Sequence, residues 1–280
     1  MKRIKRVLQV GVLLLLLFAL SHTSFSGLLF PWSPVRPGYG SESFSGATVV
    51  YSRRGGLPEA YRNVGEILAE ASRANRLSFR QDVTVVVTDD WGLFNRGTTL
   101  GWKATPLPVL GAALQTGTVI YISPLALEPG RDLRAVLRHE LTHALMFQQM
   151  PLKETFALVR LDWFEEGLAV HAGNPRDYMD DHAWSLHARH PAYRFGPWGD
   201  AELRTVPTEL RGVFRMSEYR VFIEFLMARH GRERFFAWRD AVLRAPSAHE
   251  AAFQAHFGAP FARVVAEFEL AVREGSWPRA

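Results

Sequence analysis

Apolar and polar positions change their period about halfway along this chain. In the first half, short runs dense in β-branched residues stand out. Thr48–Tyr51 and Val83–Thr88 read as strands, and Thr118–Ile122 (T-V-I-Y-I) reads as another, stopped by Ser123-Pro124. Residues 58–74 carry apolar side chains at helical spacing, with Pro58 near the start. The stretch 89–117 is rich in Gly, Thr and Pro and reads as irregular apart from short extended pieces. A helix follows over about 131–149 and Pro151 ends it. Beyond it the spacing is helical almost throughout, over 153–172, 217–230, 232–244 and 259–273. Strands first and helices later predict an α+β domain with two lobes.

The helix over 131–149 carries the most specific chemistry. Leu133, Leu137, Leu141, Ala144 and Leu145 form a stripe expected to face a core. At about 100° per residue, His139 and His143 lie about 200° from Leu137 and Leu141. Histidines off the stripe suit a cleft better than a core. Residues four apart project from one helix face, so the two imidazoles can share one metal ion. Glu140, one position round, can reach a water at the ion's open position without being a ligand. His139-Glu140-Leu141-Thr142-His143 therefore reads H-E-x-x-H, the core of a zinc hydrolase. A second set, His182, His187 and His190, has spacings that suit no standard helical metal pair, and it reads as a surface loop.

A catalytic zinc takes a third protein ligand. The chain has no cysteine, so that ligand is a His or a carboxylate. Met146 and Gln149 stand where a metzincin would carry Gly and its third His, which excludes that class. The better candidate is Trp163-Phe164-Glu165-Glu166-Gly167-Leu168-Ala169. Its two adjacent carboxylates diverge by about 100° on a helix, so one of them should reach the metal.

H-E-L-T-H followed by W-F-E-E-G-L-A resembles the gluzincins, the thermolysin-like zinc peptidases. More narrowly, it is similar to the peptidase MA-like domain, related to the M1 aminopeptidases. The resemblance covers roughly residues 46–275, with its specificity concentrated in the two motifs. It implies a zincin-like α+β fold: an N-terminal lobe with a small mixed sheet and the motif helix, a mostly helical C-terminal lobe, and a cleft between them. It also implies Zn²⁺ as cofactor, a peptide or protein as substrate, and Glu166, directly before Gly167, as third ligand beside His139 and His143. Glu140 is then the general base, and Glu165 is left as a charged helix start facing solvent. Twenty-two residues separate His143 from Glu166, slightly more than in thermolysin, a difference a loop can absorb.

The segment from Ser217 to Leu226, followed by His230-Gly231, resembles the family's later helix. Tyr219 is the candidate there for a donor to the developing oxyanion. The competing reading is a structural tyrosine at a helix start capped by Ser217. In zincins the strand nearest the motif helix forms the upper edge of the cleft, where a peptide adds by backbone hydrogen bonds, and Thr118–Ile122 is expected in that place. The M1 exopeptidase signature G-A-M-E-N is missing, since Gly111-Ala112-Ala113-Leu114 is only superficially similar. Endopeptidase action is thereby favoured over aminopeptidase action. The alternative function is a non-catalytic zincin-fold binding protein that docks a partner in its cleft; intact ligands and Glu140 argue against it. An intramembrane protease would bury the motif in a long apolar span, whereas Arg131, Asp132, Arg134 and Arg138 surround it here.

The formal charge of +5 falls to +1 when Lys2, Arg3, Lys5 and Arg6 are set aside, and no basic stripe remains for a nucleic acid. Those four charges precede an apolar run, Val7 to Leu20, that includes five consecutive leucines. Fourteen residues make a helix of about 21 Å, short of the roughly 30 Å hydrocarbon core. Phe25, Leu28, Leu29 and Phe30 extend the apolar character, and Ser24-Phe25-Ser26 offers small residues for cleavage before Gly27. Residues 1–26 are thus expected to be a signal peptide or an N-terminal membrane anchor, with attachment through residues 7–25. Residues 27–45 are expected to be a linker and 46–275 the metallopeptidase domain, outside the cytoplasm (periplasmic or secreted).

Overall fold

The computed structural model describes residues 8–17, 38–98, 109–158, 161–173, 178–196 and 206–277. Helix α1 (residues 8–17) lies in the leading apolar run, and every one of its residues is exposed. Among the described residues no helix is long and apolar enough to cross a membrane. Ser24-Phe25-Ser26 and residues 27–37 lie outside the described residues.

Five strands form one mixed sheet in the order β1-β2-β3-β5-β4. β1 (Tyr39–Phe44) and β2 (Ala47–Ser52) make an antiparallel hairpin. Its two-residue turn ends on Gly46, whose φ of 77° falls in the left-handed region that glycine tolerates. β1 therefore occupies part of the stretch expected to be a linker. Its polar side chains, alternating with half-buried ones, hide a strand whose pairing is supplied by β2. β2 runs parallel to β3 (Val83–Val87), and β3 runs parallel to β5 (Val119–Ile122). The short β4 (Gly111–Ala113) closes the sheet antiparallel to β5.

Alternation along the strands divides their side chains between two cores. Val49, Val83, Val85, Ile120 and Ile122 face α2 (Val64–Asn75) and α4 (Leu133–Phe147). Val86, Val119 and Tyr121 face the other way, towards Phe94 on α3 (Trp91–Gly97). The stretch 89–117 thus contains a helix and the edge strand. Both are too short to show a period, and α3 starts with Asp90, whose carboxylate caps the Gly92 N–H at 2.7 Å.

The C-terminal lobe is helical. α5 (Leu152–Leu158), α6 (Asp162–Gly173), α7 (Asp181–Ala188), α8 (Arg211–His230), α9 (Arg232–Arg244), α10 (His249–Phe257) and α11 (Phe261–Arg273) surround an aromatic core that includes Trp163, Phe222, Trp238 and Phe268. α7 replaces the surface loop expected around the second histidine set, since His182 and His187 sit on that helix. Asp180 caps it through the Ala183 N–H at 2.8 Å. Helix α4 joins the two lobes. Leu137, Leu141 and Ala144 pack under the sheet, and Met146 and Phe147 pack into the helical core.

A charged cluster fastens α6 to α8. Glu224 accepts from His171 Nδ1 at 3.0 Å and from Arg220 at 3.0 Å, and Arg220 also binds Asp181 at the start of α7. Burial pushes the Glu224 pKa up, but the His171 and Arg220 partners outweigh it and hold the carboxyl below its usual value. The depressed folded-state pKa stabilises the fold above the unfolded value of about 4.3, and that contribution disappears as pH falls through the folded value. Glu224→Gln should therefore cost about 1 kcal/mol at pH 7, and the cost should shrink as the pH falls through the folded value, measured by denaturant midpoints across an acid pH series.

Candidate metal centre

Two helices supply the site. α4 begins at Asp132, whose carboxylate accepts from the Ala135 N–H at 3.0 Å, and it carries His139, Glu140 and His143. α6 crosses it and carries Glu165 and Glu166. Two glycines permit the crossing. A Cβ on Gly173 would sit 3.2 Å from His139 Cβ, and one on Gly167 would meet the Tyr219 backbone oxygen at 2.8 Å. Gly167 thus lets α8 press α6 against α4, which is a physical reason for glycine directly after the two carboxylates.

His139 Nε2, His143 Nε2 and Glu166 Oε2 form a triangle. Its edges are 3.1 Å between the imidazoles, 3.4 Å from His139 to Glu166 and 3.5 Å from His143 to Glu166. A tetrahedral ion with bonds of about 2.0–2.1 Å separates its ligand atoms by about 3.3–3.4 Å. The triangle therefore fits one zinc-sized ion held by two nitrogens and one carboxylate oxygen. These three residues are the group of ligand-bearing side chains, among the described residues, that could hold a metal; His182, His187 and His190 form no such group. Burial works against the charge on Glu166, yet the two facing imidazoles keep its pKa below the usual carboxylate range. Burial likewise opposes a charged His143, but Glu166 and Glu165 raise its pKa well above the usual value. The pocket's own electrostatics thus favour positive charge at its centre.

Glu165 overturns an expectation. It is buried rather than facing solvent, and its Oε1 lies 2.9 Å from His143 Nδ1, the nitrogen behind the ligand triangle. The divergence of adjacent helical positions sends Glu166 to the front of the imidazole and Glu165 to its back.

Glu140 is buried beside the triangle, and burial raises its pKa despite the opposing influence of His139 and His143. The Ala113 backbone N–H donates to its carboxylate. A Cβ on Gly111 would lie 2.7–2.8 Å from Glu140 Cγ, Cδ and Oε1, so a side chain there would displace the carboxylate. The strand over Glu140 is therefore β4. Thr118–Ile122, expected at the cleft edge, lies inside the sheet as β5, between β3 and β4. Ser123 N donates to Leu110 O and Leu114 N to Val119 O, so the even-numbered backbone groups of β4 face β5. Those of Gly111 and Ala113 point away from β5, where Gly111 is buried and Ala113 half-buried.

Tyr219 lies mid-helix in α8, and Ser217 does not cap it. The Ser217 hydroxyl donates to Val213 O and accepts from the Met179 N–H. The Tyr219 hydroxyl donates to Asp162 Oδ2 at 3.2 Å, one helical turn before Glu166, and Arg215 lies beside it. Another tyrosine, Tyr178, has its ring 6.4 Å from that of His139. Nothing in the local pattern around Tyr178 pointed to the site.

No family model and no curated protein matches this chain. Among solved structures, it is similar to an M1 zinc metallopeptidase from Deinococcus radiodurans, at 15% identity and a TM-score of 0.44. A mutant of an M1 zinc metallopeptidase from the same organism, bound to a Tyr-Ser-Ala substrate, gives 14% identity and a TM-score of 0.45. Each match covers 81% of this chain and 47% of the other, so this chain spans just under half the length of those structures.

Proposed function

We propose that this protein is a zinc metallopeptidase of the gluzincin type, acting on extended peptide segments. The ligand triangle of His139, His143 and Glu166, with Glu140 buried beside it, carries this reading. Zinc bound there would supply a Lewis acid that polarises the scissile carbonyl and lowers the pKa of a water at its open position. Glu140 takes the proton of the attacking water and passes it to the leaving amine. Its burial raises its basicity, and the Ala113 N–H fixes its direction. The Ala113 carbonyl, on the half-buried edge of β4 turned away from β5, holds the substrate backbone by strand addition.

The edge segment 109–117 contains no charged residue with which to grip a chain terminus. This favours endopeptidase action. The test combines zinc analysis of the purified protein with mass spectrometry of cleaved peptide libraries. Stoichiometric zinc with internal cleavage supports the reading; stoichiometric zinc without cleavage assigns the cleft to binding; absence of zinc overturns the proposal.

Tyr219 is the oxyanion donor in this mechanism, a role for which its hydroxyl must turn away from Asp162. Tyr219→Phe should then lower kcat by about 10²–10³-fold with zinc content unchanged. A fall in Tm with kcat unchanged would assign the Tyr219–Asp162 bond to holding α6 on α8.

The basic flank and the exposed leucines of α1 support export with a cleaved leader or a retained anchor. Protease accessibility in fractionated cells tests that placement.

A further inference from the structure

Glu165 and Glu166 are consecutive on α6, yet they address opposite nitrogens of one imidazole. Glu166 Oε2 lies on the Nε2 side of His143, and Glu165 Oε1 lies 2.9 Å from Nδ1. The His143 and Glu165 side chains are 7% and 9% exposed, so water competes little for this bond. His139 lacks an equivalent support: its Nδ1 is buried with no hydrogen-bond partner among the described residues. One ligand histidine is therefore anchored from behind by a carboxylate, and the other is placed by packing against Gly173.

We propose that Glu165 is a positioning residue of the metal centre. Its carboxylate accepts the Nδ1–H of His143, which fixes the tautomer whose Nε2 lone pair points into the ligand triangle. It also fixes the plane of the ring, because the bond spans from α6 to α4. An ionised acceptor makes this a charge-assisted bond and raises the basicity of Nε2, which tightens the grip on a divalent cation. The second carboxylate of W-F-E-E-G is then part of the centre without being a ligand. This inference rests on the metal reading above and adds a residue to it.

The test uses the full chain and two readouts besides hydrolysis: zinc Kd by chelator competition, and the visible band of the cobalt-substituted protein. Glu165→Gln keeps the shape and an acceptor oxygen but removes the charge. The expected result is a Kd weakened by about 10–100-fold, with a shifted cobalt band. Glu165→Asp keeps the charge but withdraws the oxygen by one methylene, and its Kd should fall between the two. A purely structural role would lower the Tm of the metal-free protein and leave Kd and band unmoved, and that result overturns the proposal. Should the Gln variant not fold, a wild-type Kd in the Asp variant overturns it equally. A wild-type chain that binds no zinc refutes the metal centre itself, whereas zinc bound equally by wild type and variants refutes only the role of Glu165.

Discussion

Glu140→Gln is expected to retain stoichiometric zinc and lose peptide hydrolysis by about 10²–10⁴-fold. The substitution conserves the volume of a side chain that is 6% exposed and packed under Gly111, so the pocket keeps its shape. The amide cannot accept the proton of an attacking water, and this loss should appear in kcat. The Ala113 N–H still finds an oxygen to donate to. Zinc content by elemental analysis and initial rates on a cleaved library peptide check both halves. A variant that hydrolyses at the wild-type rate would remove Glu140 from the base role and leave the three ligands without a partner for chemistry.

Glu166→Ala should abolish both zinc retention and activity. The variant leaves two imidazoles 3.1 Å apart with no carboxylate to complete the triangle. Loss of an outer partner alone weakens such sites by about 10–100-fold, so loss of a direct ligand should exceed that. Chelator competition measures the affinity, and the Tm of the metal-free variant separates this from general unfolding. Treating the wild type with a chelator should reproduce the loss of activity, and added zinc should reverse it. The Glu166→Ala variant should not recover at equal zinc. Glu165 cannot substitute, because its carboxylate is directed to Nδ1, behind the ring.

The pairing of His139 with His143 was legible in the chain because it depends on one helical turn. No tertiary contact is needed to bring positions four apart onto one face. The strands at Ala47–Ser52, Val83–Val87 and Val119–Ile122 were legible for a similarly local reason: each is a short run dense in β-branched residues. β1, α3 and β4 were not. The first is polar, the second is one short capped helix, and the third has three small residues whose pairing comes from β5. Because β4 carries no pattern of its own, the neighbouring run at Thr118–Ile122 is the strand that sequence alone offers for the cleft edge.

Glu166 lies between these cases. Its role as third ligand was read from a resemblance to other chains, since spacing alone left it equivalent to Glu165. The rotation of α6 distinguishes the two carboxylates. It is set by the close approaches at Gly167 and Gly173, which seat the helix between α8 and α4. The same packing hides Tyr219 in α8 with its hydroxyl on Asp162, and brings Tyr178 beside His139.

The sequence by itself determined an α+β chain and a helix presenting His139, Glu140 and His143 together, because these follow from backbone periods shorter than eight residues. Tertiary structure alone decided which carboxylate joins the two imidazoles, which one lies behind His143, and which strand lies over Glu140. Those choices depend on how helices and strands distant in sequence are rotated and pressed together, and one residue's shift along α6 exchanges the front of an imidazole for its back.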